Sequence, residues 1–201
     1  MSKIDEVGNI TGKTREQKFR YNAYLYRENN NDLSIEQYQE KLEKKRKGIE
    51  IDELSITNKN DIDQPIVETY SFASNRFVDI IGDRMYFSPM LFFEQLENPF
   101  KLDKRIYPIE FDFPFKDNYN ITITIPDGYI IETLPENLNL VINKEYGAFK
   151  FIISNVSNTI QLLCSLEMKT AIIPNQDYET LKLFFKEIVN KQSEKVVLKK
   201  I

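Results

Sequence analysis

The sequence contains no histidine and no tryptophan, and it has only one cysteine and six glycines. Without histidine, the commonest general base and metal ligand is missing, and so are Cys-His and Ser-His-Asp nucleophilic sites. None of the glycines forms a phosphate-binding or dinucleotide-binding motif. A single cysteine excludes an internal disulfide and gives no indication of the redox compartment. The chain therefore lacks the residues of most common catalytic centres, and we predict no cofactor.

The sequence also lacks long hydrophobic runs and an excess of positive charge. No apolar stretch approaches the roughly 20 residues that would span a bilayer, and the opening MSKIDEVGNITGK has no apolar signal region, so the chain as given carries no signal peptide. A formal net charge of -4 argues against a general polyanion binder. We expect neither a membrane span nor a nucleic-acid partner. The length of 201 residues allows one large domain or two small ones.

The pattern of apolar and polar residues predicts several short strands and few helices. Apolar and polar residues alternate at 19–25, in IEIDELSIT, in PIVETYSFAS, around 77–81 and through 107–129. The segments AFKFIISNV and TIQLLCSLEMK predict a hairpin. We expect a mainly β (α+β) fold of antiparallel, β-sandwich-like sheets. The predicted domains are residues 1–82, a mixed β unit, and residues 83–201, an antiparallel β domain.

Two helices are predicted, one in each half. Ser34 and Gln37 have the spacing of a capping box, which begins a helix over about 34–47, and Gly48 ends it. The basic run at 44–47 lies in the last turn of that helix, where cations complement the helix dipole. We interpret the run as a solvated helix end, with a nucleic-acid or anionic-lipid contact as the alternative. The second helix covers about 175–192 and has an apolar stripe.

Few residues are candidates for chemistry. Asn58, Asn60, Asp61 and Asp63 resemble a sparse calcium loop, but the glycine and the distant glutamate of such loops are missing, so no metal site is predicted. Glu110 and Asp112 share one face of a predicted strand. Two carboxylates can catalyse glycoside hydrolysis without histidine, which leaves a hydrolase open as an alternative. Cys164 lies on the apolar face of a predicted strand, and we expect it to pack in the core.

Five segments carry a resemblance to a known group of proteins: DEVGNITGK, MYFSPMLFFEQLENPFKLDKRIYPIEFDFPF, ITIPDGYIIETLPENLNL, YGAFKF and IPNQDYETLKLFFKEIVNKQSEKVVLKK. They resemble the C-terminal region of large secreted or periplasmic Bacteroidota proteins. Those proteins join a β-sandwich, a transglutaminase-like core and a C-terminal domain of unknown function. The resemblance spans nearly the whole chain and is strongest from Tyr86 to Lys200. Its motifs are structural, and no segment matches the Cys-His-Asp triad of the core.

The resemblance implies a non-catalytic accessory module that docks or positions a transglutaminase-like core, in cis or in trans. It also implies a periplasmic or extracellular location. Phe92, Phe93 and Phe100 are candidate interface residues, because two adjacent phenylalanines do not readily both point into one core; packing between the two domains is the alternative. A stand-alone glycan- or peptide-binding module is a further alternative, for which Tyr107 and Tyr119 would have to form a solvent-facing platform.

Overall fold

The computed structural model describes residues 1–46 and 48–201, and these residues form strands and helices of an α+β fold that is mainly β, as predicted. The helices are α1 Arg20–Asn30, α2 Ile35–Arg46 and α3 Tyr178–Ser193. The strands are β1 Ser2–Ile4, β2 Ile10–Lys18, β3 Glu50–Thr57, β4 Ile66–Ser74, β5 Asp79–Ile81, β6 Arg84–Phe87, β7 Ile109–Glu110, β8 Phe115–Thr124, β9 Tyr129–Thr133, β10 Leu138–Asn143, β11 Gly147–Val156, β12 Thr159–Met168, β13 Ile172–Ile173 and β14 Val196–Lys200. Short 3-10 turns cover Leu91–Phe93 and Asn175–Asp177.

The main sheet has eight strands in the order β10-β11-β12-β8-β1-β2-β4-β3. Its pairs are antiparallel except for β1 and β8, which run parallel. A four-stranded sheet has the order β5-β6-β14-β9, and β13 pairs with β7. Within the described ranges, no helix has the length and hydrophobicity needed to cross a membrane.

The core follows the inward faces of the strands and one stripe of α3. In β12, Ile160, Leu162, Cys164, Leu166 and Met168 are all buried, because alternate residues of a strand point to the same side. The stripe of α3 buries Leu181, Phe184, Phe185 and Ile188. The predicted hairpin, the C-terminal helix and the core position of Cys164 are therefore confirmed.

The predicted strand at residues 19–25 is wrong, because this segment begins α1. Ala23, Tyr26 and Asn30 are buried at spacings of three and four residues, which is the period of a helix face. The ring of Tyr26 packs edge-on against Tyr38 of α2 at 5.3 Å between ring centres. Phe19 and Tyr21, which suggested the alternation, are exposed. The described part of the N-terminal half thus contains two helices rather than one.

The capping box at the start of α2 is confirmed in both directions. The Ser34 amide donates to Gln37 Oε1 at 2.9 Å, and the Gln37 amide donates to Ser34 Oγ at 3.2 Å. The helix is described as far as Arg46, and the predicted end at Lys47 lies outside the described residues.

The segment 107–129 is not one continuous run of strand up to the turn at Pro126. Only Ile109 and Glu110 pair in β7, and regular strand resumes at Phe115 in β8. Pro114 lies in the interruption, and proline has no N–H to donate to a ladder. The boundary near residue 82 stays a prediction, although the main sheet joins strands from both sides of it.

Candidate functional site

A large open cleft lies between β2 and β8 and has a volume of about 1160 Å³. Strand β1 separates β2 from β8 in the sheet, but β1 has three residues whereas β2 has nine and β8 has ten. Ahead of Met1, the two longer strands border the cleft with no strand of the described residues between them. The lining includes Met1, Glu16, Phe92, Phe93, Phe115 and Tyr119.

The position of β1 depends on Gly12 of β2. A Cβ atom at Gly12 would lie 2.6 Å from the carbonyl oxygen of Met1 and 2.8 Å from the ring of Phe72. Real Cβ contacts are never this short, so the missing side chain lets β1 and the Phe72 ring approach together. The backbones of Met1 and Lys13 exchange two hydrogen bonds of 2.9 and 2.8 Å, which fixes β1 at the inner end of the cleft.

Aromatic rings form the floor of the cleft. The Phe93 ring lies 5.3 Å from that of Tyr119 on β8, and the Phe92 ring lies 4.9 Å from that of Phe72 on β4. Phe92 and Phe93 also contact each other at 4.5 Å. The guanidinium of Arg46 lies 4.4 Å from the centre of the Phe93 ring, which is within cation-π distance.

A network of charged and phenolic side chains supports this floor from the side of α2. Arg46 donates a hydrogen bond of 2.7 Å to Glu16 Oε1, and Tyr70 donates to the same oxygen at 2.9 Å. Lys18 pairs with Glu68, which is fully buried, and Tyr38 donates to the other oxygen of Glu68. Among the described residues, the Nε of Arg46 is buried and has no hydrogen-bond partner.

The pKa values of this network follow from burial and from its charges. Burial acts to raise the pKa of Glu16, but Arg46 and Lys18 outweigh it, so the pKa lies below its ordinary value. Burial, together with Glu16, raises the pKa of Tyr70. Burial and then Asp117 raise the pKa of Tyr119 to about 12. At neutral pH the network therefore holds a carboxylate, a guanidinium and neutral phenols.

The three predicted interface residues are not placed together. Phe92 and Phe93 are half-buried in the cleft floor. Phe100 is buried elsewhere, with its ring 5.0 Å from that of Phe185 and 6.1 Å from that of Tyr178, both on α3. The prediction of an interface stays open for the first two residues, and Phe100 has a core environment.

The basic run at the end of α2 is only partly solvated. Lys44 and Lys45 are exposed, in agreement with the interpretation as a solvated helix end. For Arg46 that interpretation is wrong, since its side chain is 14% exposed and pairs with Glu16. No local pattern in the sequence indicates this pair, because its members are 30 positions apart. The alternation in β2 makes Glu16 an acidic residue on the inward face, which indicates that it needs a positively charged partner.

The loop that resembled a calcium site surrounds an arginine. Arg27 of α1 donates to the backbone carbonyls of Asn58, Lys59, Asp61 and Gln64 at 2.5–3.0 Å. The guanidinium thus supplies the positive charge on which these carbonyls converge. Among the described residues, no group of three or more Asp, Glu or Cys side chains is arranged to hold a metal ion.

A second, smaller cleft of about 400 Å³ has acidic residues in its wall. Glu110 and Asp112, the carboxylates singled out in the sequence, are both exposed there, and Asp117 lies in the same wall. Burial raises the pKa of Asp117, and Lys45 acts in the opposite direction.

Cys164 and Tyr107, which were also singled out in the sequence, do not line the main cleft. Burial raises the pKa of the Cys164 thiol to about 12, and the Gln192 amide donates a hydrogen bond to its sulfur at 3.8 Å. Tyr107 is 72% exposed and does not line the main cleft, whereas Tyr119 is half-buried in its floor. The cleft therefore does not unite these two tyrosines in one platform.

Comparison with known proteins places the C-terminal part of the chain in a family. The family is described as a domain of unknown function with a solved structure, and its model matches residues 83–198, more than half of the chain. The chain belongs to this family, DUF3858. The expectation of a domain of unknown function over this region is thereby confirmed.

One solved structure is similar to part of the chain. It is the crystal structure of a "putative protease" from Parabacteroides distasonis, with 17% identity over 49% of this chain and a TM-score of 0.43. The chain spans 19% of that protein's length. No curated protein matches the chain.

Proposed function

We propose that this chain is a non-catalytic accessory module that docks a transglutaminase-like enzyme core through the cleft between β2 and β8. The observation that carries the proposal is the cleft itself, which exposes Phe92, Phe93 and Tyr119 on a floor braced by the Arg46 network. Aromatic residues together with arginine are enriched where proteins bind each other. The resemblance to C-terminal regions of Bacteroidota transglutaminase-like proteins supports the identity of the partner and a periplasmic or extracellular location.

The chemistry of the chain supports a non-catalytic role. The sequence has no histidine, and Cys164 is buried with a pKa raised to about 12, so its thiol is protonated at neutral pH. A cysteine of this kind cannot serve as the nucleophile of a transglutaminase-like triad. Any Cys-His-Asp triad would belong to the docked core.

The molecular mass of the native polypeptide, and the domains that purify with it, test this proposal. An antibody against residues 83–201 should detect, in extracts of the source organism, either a polypeptide much larger than 23.8 kDa or a complex that contains a Cys-His-Asp transglutaminase-like domain. Mass spectrometry of the purified species identifies that domain. A 23.8 kDa species that purifies without such a domain would contradict the proposal and would favour the stand-alone binding module.

A carboxylate hydrolase is the second candidate, because Asp117 has a raised pKa and shares a cleft with Glu110 and Asp112. In glycosidases, a carboxyl group with a raised pKa serves as the general acid. We expect no release of reducing sugar from a panel of polysaccharides. Release that is lost in Asp117→Asn, with folding unchanged by circular dichroism, would replace the proposal of a non-catalytic module.

A further inference from the structure

The backbone edges that bound the cleft are unpaired. Beyond Met1, β2 pairs with β4 on its outer side and β8 pairs with β12 on its outer side, but β2 and β8 do not pair with each other among the described residues. The Lys13 backbone exchanges both of its hydrogen bonds with Met1. The backbone N–H and C=O groups of every second residue of a strand point to the same neighbour, so those of Arg15 and Gln17 also point into the cleft. Such edges are templates for an added strand.

The register of β1 defines how such a strand would fit. Ser2 lies opposite Gly12 of β2 and opposite Ile123 of β8. Each further residue placed before Met1 would lie opposite the next residue towards the C-terminal end of β2. It would also lie opposite the next residue towards the N-terminal end of β8. Five positions would therefore lie opposite residues 14–18 of β2 and 117–121 of β8. At about 3.3 Å per residue, five positions cover roughly 17 Å of strand.

The two faces of the cleft differ in chemistry. The first, third and fifth positions ahead of Met1 would share the inner face with Ser2, which is buried, and the third would lie opposite Tyr119, whose ring contacts that of Phe93. The second and fourth positions would point outward, opposite Arg15 and Gln17, which are exposed. Five lining residues are cationic and three are acidic: Lys13, Arg15, Arg20, Lys116 and Lys169 against Glu16, Asp117 and Glu167.

These charges are not all free to bind an occupant. Glu16 is already paired with Arg46, while Lys13 pairs with Glu53 and Lys116 with Glu167 at the rim. Arg15 makes no ion pair within the described part of the chain, and it lies opposite the second position. An acidic side chain there would pair with it, so the cleft favours an occupant that alternates apolar inner and acidic outer residues.

We propose that the enzyme core, whether it precedes Met1 in the same polypeptide or belongs to a separate one, contributes one extended segment of about five residues, which lies in this cleft as a strand between β2 and β8 in line with β1. The identity of the partner as the enzyme core rests on the proposed function, but the strand-binding property does not. The segment runs parallel to β8 and antiparallel to β2, with its carboxyl end towards Met1. It places apolar side chains on the aromatic floor and acidic side chains beside Arg15.

Fusions ahead of Met1 test the strand-binding property without the core. The probes are the full chain preceded by Ile-Glu-Ile-Glu-Ile, by Ile-Lys-Ile-Lys-Ile and by the length control Gly-Ser-Gly-Ser-Gly. The readout is amide hydrogen exchange at Arg15, Gln17 and residues 117–121. The first fusion should slow exchange at Arg15 and Gln17 by about tenfold or more relative to the Gly-Ser control. Arg15→Glu should reverse the order of the two charged fusions.

The outcomes separate the inference from the proposed function. Equal exchange in the Ile-Glu and Gly-Ser fusions would overturn the inference, as would an unchanged order of the charged fusions in Arg15→Glu. In the native complex with a Cys-His-Asp core, protected Arg15 and Gln17 amides support the inference. If that complex forms while these amides exchange as in the isolated chain, the core docks elsewhere. The inference and the docking through this cleft would then both be wrong, while the role as an accessory module of the core would stand.

Discussion

The guanidinium of Arg46 connects the packing of α2 to the cleft, because it bonds Glu16 and lies over the Phe93 ring. Replacing it by methionine keeps an apolar stem on the ring but leaves Glu16 without its closest cation. We expect Arg46→Met to lower the free energy of unfolding by about 2–3 kcal/mol, since breaking a largely buried ion pair strands its partner. Urea denaturation followed by circular dichroism measures this change.

Lys44→Met is the matched control for that variant. Lys44 belongs to the same basic run and the same helix, but its side chain is 80% exposed and its partner is the exposed Glu40. Exposed pairs contribute little, so the control should change the free energy of unfolding by no more than about 0.5 kcal/mol. Equal losses in the two variants would mean that the helix end, rather than the pair with Glu16, accounts for the effect.

Glu16 also makes the stability depend on pH. Its pKa in the folded chain lies below the ordinary value of 4.5, because Arg46 and Lys18 outweigh the effect of burial. A depressed carboxyl pKa stabilises the fold above the unfolded pKa, and this contribution is lost as the pH falls through the folded pKa. We therefore expect stability to fall with acidification below about pH 4.5.

The comparison with Glu16→Gln isolates this residue. The amide cannot titrate, so the variant should be less stable at neutral pH and should lose less stability between about pH 5 and pH 3. Urea titrations at several pH values give both curves. Parallel curves for the two proteins would show that other carboxylates cause the acid dependence.

At the scale of elements, Arg27 connects α1 to the loop between β3 and β4. Its guanidinium satisfies four backbone carbonyls of residues 58–64 at 2.5–3.0 Å. Arg27→Met removes these charge-assisted bonds and should cost about 1–3 kcal/mol. Hydrogen exchange in the loop should accelerate as well, since the contact that holds it is lost.

Glu28→Gln is the control, because Glu28 neighbours Arg27 on the same helix and is exposed. It should leave both the stability and the loop exchange unchanged within about 0.5 kcal/mol. Calcium should not raise the melting temperature of the unaltered protein, since a cation already occupies the carbonyl cluster. A calcium-dependent rise would show that the ion displaces Arg27.

Elements that depend on nearby residues could be predicted from the sequence, and the others could not. The hairpin of β11 and β12 combines alternation in both strands with a turn at Ser157, whose φ of +53° fits a tight turn. In α1, the alternation over residues 19–25 competed with the helical spacing of Ala23, Tyr26 and Asn30, and packing on Tyr38 decided the outcome. The cleft depends on Ser2 lying beside Ile123, a pairing that no local pattern contains.

At the scale of the whole molecule, β1 joins the two halves of the main sheet. On one side of it are β2, β4 and β3 from the N-terminal half, and on the other are β8, β12, β11 and β10 from the C-terminal half. The short β1 is therefore both the seam between the halves and the inner wall of the cleft. Loss of the N-terminal half would extend the unpaired edge of β8 over its full length.

This arrangement predicts how residues 83–201 behave alone. They keep α3 with its buried stripe, the β14 pairs with β6 and β9, and the β10-β11-β12-β8 ladder, so they should unfold cooperatively by circular dichroism. Their exposed β8 edge should also cause self-association that rises with concentration, measured by light scattering after size exclusion. Lys substituted for Asn118 and Asn120, which are exposed on β8, should weaken that association without unfolding the fragment. An unfolded fragment would instead mean that β1 and the N-terminal strands complete a single cooperative core, and the boundary near residue 82 would not separate two domains.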